Sequence, residues 1–207
     1  MINKANELQA NLVIVGSHGR SVLGRFFLGS VSQKILNQAG CSVRVGRERS
    51  NASASARLLL IGVDGSPGSE AMVHEVARRQ WPSGMQIHVI SVEDPSVPLA
   101  FGGINEDIAK LGGEGEESDR QWVQKMVDAS AEYLREAGLT VSAEVKQGEP
   151  KKVLVDEAQR LGADCIFVGA SGFTNRLERL LLGSVSTAVA NRAECSVEVI
   201  RPRVGGN

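Results

Sequence analysis

The sequence predicts an α/β fold built on a doubly wound parallel sheet, and three observations carry that expectation. From Arg57 to Arg201 short apolar segments alternate with amphipathic helical ones in the order β-α-β-α-β-α-β-α-β. That alternation places helices on both faces of a parallel sheet. Residues 11–45 (NLVIVGSHGRSVLGRFFLGSVSQKILNQAGCSVRV) recur in outline at residues 164–199 (DCIFVGASGFTNRLERLLLGSVSTAVANRAECSVEV), so part of the unit is written twice. Both copies open on an apolar run ending in glycine, Leu12 to Gly16 and Cys165 to Gly169. Runs of this kind suit strands buried on both faces.

Taken in order, Met1 to Ala10 reads as a polar helix with Lys4 and Glu7 exposed. After the first strand come a glycine-rich loop, the Gly-Ser-Val-Ser of residues 29–32, a helix, and the Cys-Ser-Val-Arg-Val strand ending at Val45. These elements are too few to bury a core of their own, so they must pack on something else. Ser50 to Ala56 (SNASASA) has no apolar periodicity and reads as a linker.

Arg57 to Asp64 (RLLLIGVD) is the next strand. Ser66-Pro67 supplies an N-cap and a first-turn proline for a helix that carries Val73, Val76 and Ala77 on one face and stops near Trp81-Pro82. Met85 to Val92 is a second strand, and Glu93 to Glu117, rich in glycine, is expected to be the least ordered crossover. Ser118 to Ala137 repeats Trp122, Val123, Met126, Val127, Tyr133 and Leu134 at helical spacing and stops at Gly138. Thr140 to Lys146 alternates Val141, Ala143 and Val145 with polar residues, as an edge strand does. Pro150 opens a helix with Val153, Leu154, Ala158 and Leu161 inward, and Gly162 ends it before the strand from Cys165.

Charge is nearly balanced, 23 Lys and Arg against 24 Asp and Glu. No basic footprint for a nucleic-acid backbone is visible, and 4% aromatic residues leave few platforms for stacking bases. Trp81, Trp122 and Tyr133 are read as packing residues. Cys41, Cys165 and Cys195 lie in or beside apolar runs without CxxC spacing, which suits buried thiols in a reducing compartment and makes the cytoplasm the expected location. No apolar run approaches the ~18 residues of a membrane span.

In open parallel sheets ligands bind beyond the carboxyl ends of the strands, where the strand order reverses. Two strand ends carry unusual residues: Val63-Asp64-Gly65-Ser66 after the first full-unit strand, and Gly169-Ala170-Ser171-Gly172 after the strand from Cys165. Gly183 and Ser184 start the helix that follows, whose free N–H groups suit an anion, and the Ser184 and Ser186 hydroxyls add donors. The plainer reading stands beside this one, since glycines after strands are often only turns, Ser66 before a helix is often only a cap, and Asp64 is often only a turn former. No GxxxxGK[ST] loop, no GxGxxG after the first strand, no metal-ligand spacing, no nucleophile elbow and no Ser-His-Asp set is present. His88 falls in a strand and His74 on a helix, where structural roles are expected; His18 alone falls in a glycine loop.

These residues resemble the universal stress proteins, whose nucleotide-binding members carry Gly-x-x-Gly, nine residues, then Gly-Ser or Gly-Thr. The first copy matches with Gly16, Gly19, Gly29 and Ser30 but has no first strand or aspartate. The second matches with Gly169, Gly172, Gly183 and Ser184 but has ten residues in the gap, residues 173–182. The resemblance extends to Asp64 near base and ribose and to Val92 as an apolar contact. It implies an adenine nucleotide alpha hydrolase-like sheet of five strands in the order 3-2-1-4-5, preceded by a β-α-β half copy.

The domains it implies are a C-terminal half over residues 1–49, a linker over 50–56 and a complete domain over 57–203. Met1 falls where a third helix would be under way, so a longer chain is expected. ATP is the implied ligand, with or without Mg²⁺, held by Val63, Asp64, Gly65, Ser66, Val92, Gly169, Gly172, Gly183, Ser184, Val185 and Ser186; the lengthened gap either bulges outward or misplaces the phosphates. Self-association through the last strands is implied too, with Ser42 to Val45 against Ser196 to Ile200, within one chain or between two. The expected function is a nucleotide-dependent stress-response or regulatory module, with slow ATP hydrolysis left open. A dimerising interaction module without nucleotide is the alternative, and an ATP-using transferase or hydrolase the third reading.

Overall fold

A computed structural model describes residues 1–17, 28–48, 57–95, 116–170 and 182–202, the side chains of residues 116–119 excepted. The elements are α1 (Ile2–Glu7), β1 (Leu12–Gly16), α2 (Ser30–Gln38), β2 (Ser42–Gly46), β3 (Arg57–Gly62), α3 (Pro67–Arg78), β4 (Met85–Glu93), α4 (Glu116–Glu136), β5 (Thr140–Gln147), α5 (Pro150–Leu161), β6 (Cys165–Gly169), α6 (Ser184–Arg192) and β7 (Ser196–Ile200). The linker at 50–56 and most of the long crossover, with His18, lie outside the described residues.

One sheet of seven strands runs β1-β2-β7-β6-β3-β4-β5. Its last five members, β5-β4-β3-β6-β7, are the expected order 3-2-1-4-5, all parallel. β1 and β2 are parallel to each other, and β2 meets β7 antiparallel, with Val43 opposite Val199, Arg44 opposite Glu198 and Val45 opposite Val197. The sheet is therefore mixed, reversing direction at this one seam. β5 is an edge, as its alternating sequence requires.

The strands bury two faces. Leu60, Ile90, Ile166, Val168, Val197 and Val199 pack with Leu154 of α5 and Val189 of α6, and Val43 and Val45 continue that core to Leu36 of α2. Leu59, Ile61, Val89 and Phe167 pack on the other face with Met72 and Val76 of α3 and Val127 and Leu134 of α4. Adjacent residues of β3 thus point into different cores, so a continuous apolar run is the strand's signature.

Local signals set most element ends. Ser66 caps α3, its Oγ accepting from the Ser69 N–H at 3.2 Å, and Pro67 fills the first turn. Gly162, at φ 66°, ends α5 in the left-handed conformation that lets its N–H return to the last turn. β3 is shorter than the expected strand and stops at Gly62, freeing Val63 and Asp64 for the turn. Three expectations about burial need correction. Tyr133 is 39% exposed, its ring edge-on to His74 at 4.5 Å, because it lies off the apolar stripe of α4. Cys41 and Cys195 are only half-buried, since each begins the turn into its strand, whereas Cys165 inside β6 is fully buried.

Candidate functional site

The strand order reverses between β3 and β6, and a cavity of about 360 Å³ opens beyond their carboxyl ends. β3 and its turn supply Gly62, Val63 and Asp64; β4 supplies Ile90 and Val92; β6 supplies Val168 and Gly169, followed by Ala170. Pro150 and Leu154 of α5 close one side, and Gly183 with Ser184, Val185 and Ser186 of α6 close the other. Of the residues singled out in the sequence, Val63, Asp64, Val92, Gly169, Gly183, Ser184, Val185 and Ser186 come together here. Gly19 and Gly172 lie outside the described residues.

Gly65 and Ser66 do not line this cavity. Gly65 lies on a second crevice between α3 and α4, at φ 75°, where a Cβ would come within 2.5 Å of Trp122 Cη2. Ser66 is buried and committed to its cap. Ile90, Leu154, Pro150 and Val168 belong to the cavity although the sequence reading passed over them. Ile90 and Val92 are two apart on β4 and so share a face, a period that marks Ile90 once Val92 is chosen. Nothing local marks Pro150 or Leu154.

Asp64 stands exposed at the mouth, its Oδ1 accepting from the Ser66 N–H at 3.0 Å, and its own N–H donates to Ser69 Oγ at 3.3 Å. These bonds hold the carboxylate at the end of β3. Opposite it, α6 begins with Gly183 as N-cap. The Thr187 N–H reaches the Gly183 carbonyl, and the amides of Ser184, Val185 and Ser186, at the first turn, bond no backbone carbonyl among the described residues. Free amides and the helix dipole make this end of the cavity favourable to an anion. The walls between are aliphatic.

The residues on either side of 171–181 are bonded to each other. The Gly183 N–H donates to the Ala170 carbonyl at 2.6 Å, and Ser186 Oγ lies 3.0 Å from the carbonyls of both Ala170 and Gly183. The first copy repeats the glycine bond, the Gly29 N–H donating to the Ser17 carbonyl at 2.9 Å, but Ser32 Oγ donates at 2.7 Å to the Gly16 carbonyl, one residue before the position equivalent to Ala170. With its extra residue the second copy still keeps the bond between the strand end and the helix N-cap. Gly16, Gly29 and Ser30 repeat the β6 and α6 side of the site. β1 is the sheet edge, however, and among the described residues no strand or aspartate flanks it as β3 and Asp64 flank β6.

Gly169 has a packing reason as well. A Cβ there would lie 2.9 Å from the Gly68 carbonyl carbon and 3.1 Å from the Ser69 nitrogen, so the start of α3 rests directly on the end of β6. Among the described residues no group of three or more potential metal ligands is found, and Asp64 is the one charged residue on the cavity wall.

The profile of the universal stress protein family matches residues 2–47 and 56–201, and the chain belongs to that family. It is 34% identical over 199 residues to a universal stress protein of Mycolicibacterium smegmatis, spanning 94% of this chain and 63% of that one. A Methanocaldococcus jannaschii universal stress protein is 34% identical over 146 residues, spanning 69% of this chain and 81% of that protein. The chain thus spans less than two thirds of the length of its mycobacterial relative. Among solved structures, a universal stress protein from Archaeoglobus fulgidus superposes with a TM-score of 0.63 at 20% identity, over 97% of this chain and 63% of that one. A universal stress protein solved in complex with cAMP superposes with a TM-score of 0.51 at 20% identity, over 72% of this chain and 98% of that one.

Proposed function

We propose that the cavity between β3 and β6 binds an adenine nucleotide, ATP, and that occupancy regulates a stress-response protein without appreciable turnover. One observation carries the reading: Asp64 and the free N-terminus of α6 face the same aliphatic cavity from opposite sides. A base fits against Ile90, Val92 and Leu154, a ribose within reach of Asp64, and phosphates at the amides of Ser184 to Ser186. The volume, about 360 Å³, lies in the range of small-ligand sites. A family relative of the same fold is solved with cAMP, which supports the choice of an adenine nucleotide. Mg²⁺ would then be held chiefly by the phosphates. Asp64 is the one carboxylate among the described lining residues, and in this reading it is assigned to the ribose.

In this reading residues 1–49 are a half domain and residues 57–203 the complete one, joined by the linker at 50–56, and three free thiols suit a cytoplasmic protein. The alternative, an interaction module without nucleotide, is favoured by one feature: the described cavity wall carries no Lys or Arg to neutralise phosphates.

Calorimetric titration with ATP and with adenosine separates the readings. Ser184→Asp places a carboxylate where the phosphates would lie, at a helix position that tolerates it well. The proposal expects saturable ATP binding, weakened at least tenfold in S184D with adenosine affinity unchanged, and loss of both ligands in Asp64→Ala. No heat of binding at millimolar ATP overturns it in favour of the interaction module.

A further inference from the structure

Apart from a 3.4 Å bond from Ser196 Oγ to the Arg47 carbonyl, the seam between β2 and β7 is symmetric except at its central pair. The repeat makes Cys41 to Val45 equivalent to Cys195 to Val199, so the register of Val43 on Val199, Arg44 on Glu198 and Val45 on Val197 has a pseudo-twofold axis through the 44 and 198 pair. Equivalent contacts recur across it. The Arg47 N–H donates to Ser196 Oγ and the Arg201 N–H to Ser42 Oγ, each at 3.1 Å. Arg47 Nη2 reaches the Ala190 carbonyl at the end of α6 at 2.5 Å, and Arg201 Nη2 reaches the Leu36 carbonyl at the end of α2 at 2.6 Å. Arg47 Nη1 and Arg201 Nη1 likewise meet the Cys195 and Cys41 carbonyls. All of these would survive if two copies of β7, or two of β2, were paired in the same register.

The axial pair would not. Glu198 is fully buried, its Oε2 receiving Arg44 Nε at 2.7 Å and Nη2 at 2.6 Å, and its Oε1 receiving Arg79 Nη2 at 2.6 Å. Phe167 lies under both guanidiniums, 5.8 Å from Arg44 Cζ and 5.7 Å from Arg79 Cζ, so the carboxylate has little access to water. Arg79 also answers Glu75 at 3.3 Å, and Glu75 binds Arg78 at 2.6 Å as well, so Arg44 is the cation that Glu198 draws from across the seam. Pairing β7 with a second β7 sets two buried Glu198 carboxylates against each other, each left with Arg79 and without Arg44. Pairing β2 with β2 puts Arg44 against Arg44 with no carboxylate. Like charges forced together in a dry interface reject a partner more strongly than any lost contact does.

We propose that Arg44 and Glu198 make this seam selective: β7 accepts a strand carrying a cation at its centre, here β2, and refuses a second β7, so the chain closes on itself rather than pairing with a copy through its last strand. The other contacts supply affinity without discrimination, and the axial pair alone chooses the partner.

Amide hydrogen exchange and sedimentation velocity on full-length variants test this. Arg44→Glu is expected to accelerate exchange at Val43 and Val45 at least 100-fold, leave Ile166 and Phe167 of β6 unchanged, and stay monomeric although the β7 edge is freed. Adding Glu198→Gln removes the opposed carboxylate and is expected to return protection at Val43 and Val45 to within tenfold of the parent. A merely lost contact would not be restored by deleting its second partner. Unchanged exchange in R44E, no recovery in the double variant, or dimerisation of R44E through β7 overturns the proposal. Should R44E loosen β6 as well, Arg44→Gln with the same E198Q rescue decides, and loosening of β6 in that variant too overturns the selectivity reading.

Discussion

Gly169 and Gly68 touch backbone to backbone: a Cβ on Gly169 would lie 2.9 Å from the Gly68 carbonyl carbon. The glycine that ends β6 therefore lets α3 start directly above it, which brings the Asp64 turn beside the strand that leads to α6. Gly169→Ala must push α3 away and is expected to cost about 1–3 kcal/mol by urea denaturation, as overpacking does. It should also weaken ATP binding by moving Asp64. A variant of unchanged stability would mean that α3 does not rest on β6 in this way.

Gly65 and Ser66 are expected to answer differently from the cavity residues. Gly65→Ala meets both a positive φ and the Trp122 ring, so a loss of about 1–3 kcal/mol is expected. Ser66→Ala removes the α3 cap at about 1 kcal/mol. Neither residue lines the cavity, so S66A should keep nucleotide affinity within twofold by calorimetry. A large affinity loss in S66A with little change in stability would put its hydroxyl at the ligand.

Glu157 on α5 gives the protein an acid-sensitive contact. Hydrogen bonds from Arg160, at 2.7 Å, and from Lys146, at 2.6 Å, hold its carboxyl below the usual carboxylate range. A depressed folded pKa contributes stability above the unfolded value, near 4.5, and that stability is lost as pH falls through the folded one. Urea midpoints measured from pH 6 down to about pH 3 should fall less steeply in Glu157→Gln than in the parent. Parallel profiles would exclude the contribution.

The thiols are expected to be inert in the native protein. Burial pushes Cys195 up to about 11 and raises Cys165 and Cys41 as well, so few thiolates exist at neutral pH. Labelling by a disulfide reagent at pH 8 should be slow for all three and complete within the mixing time in urea. Rapid native labelling at Cys41 or Cys195 would show that the turns before β2 and β7 open locally.

The sequence by itself determined the alternation of strands and helices, most element ends, the strand order through the family resemblance, and the two strand ends that meet at the cavity. These are local matters: a proline after a serine, a glycine after a helix and an unbroken apolar run each act through the few residues around them. The same locality explains what it left undivided. Gly65 and Ser66 looked like Gly169 and Ser184, because a glycine or a serine after a strand reads alike whether a tryptophan, a cap or a cavity stands beyond it. Only the tertiary structure decided that Gly65 answers Trp122, that Pro150 and Leu154 belong to the cavity, and that the extra residue after Gly172 leaves the closure between Ala170 and Gly183 intact. The resemblance implied that the two strands carrying Arg44 and Glu198 meet, but the register that sets one residue on the other, 154 residues apart along the chain, was decided by the tertiary structure. Such neighbours are made by packing across the sheet, and no short-range preference of either residue encodes them.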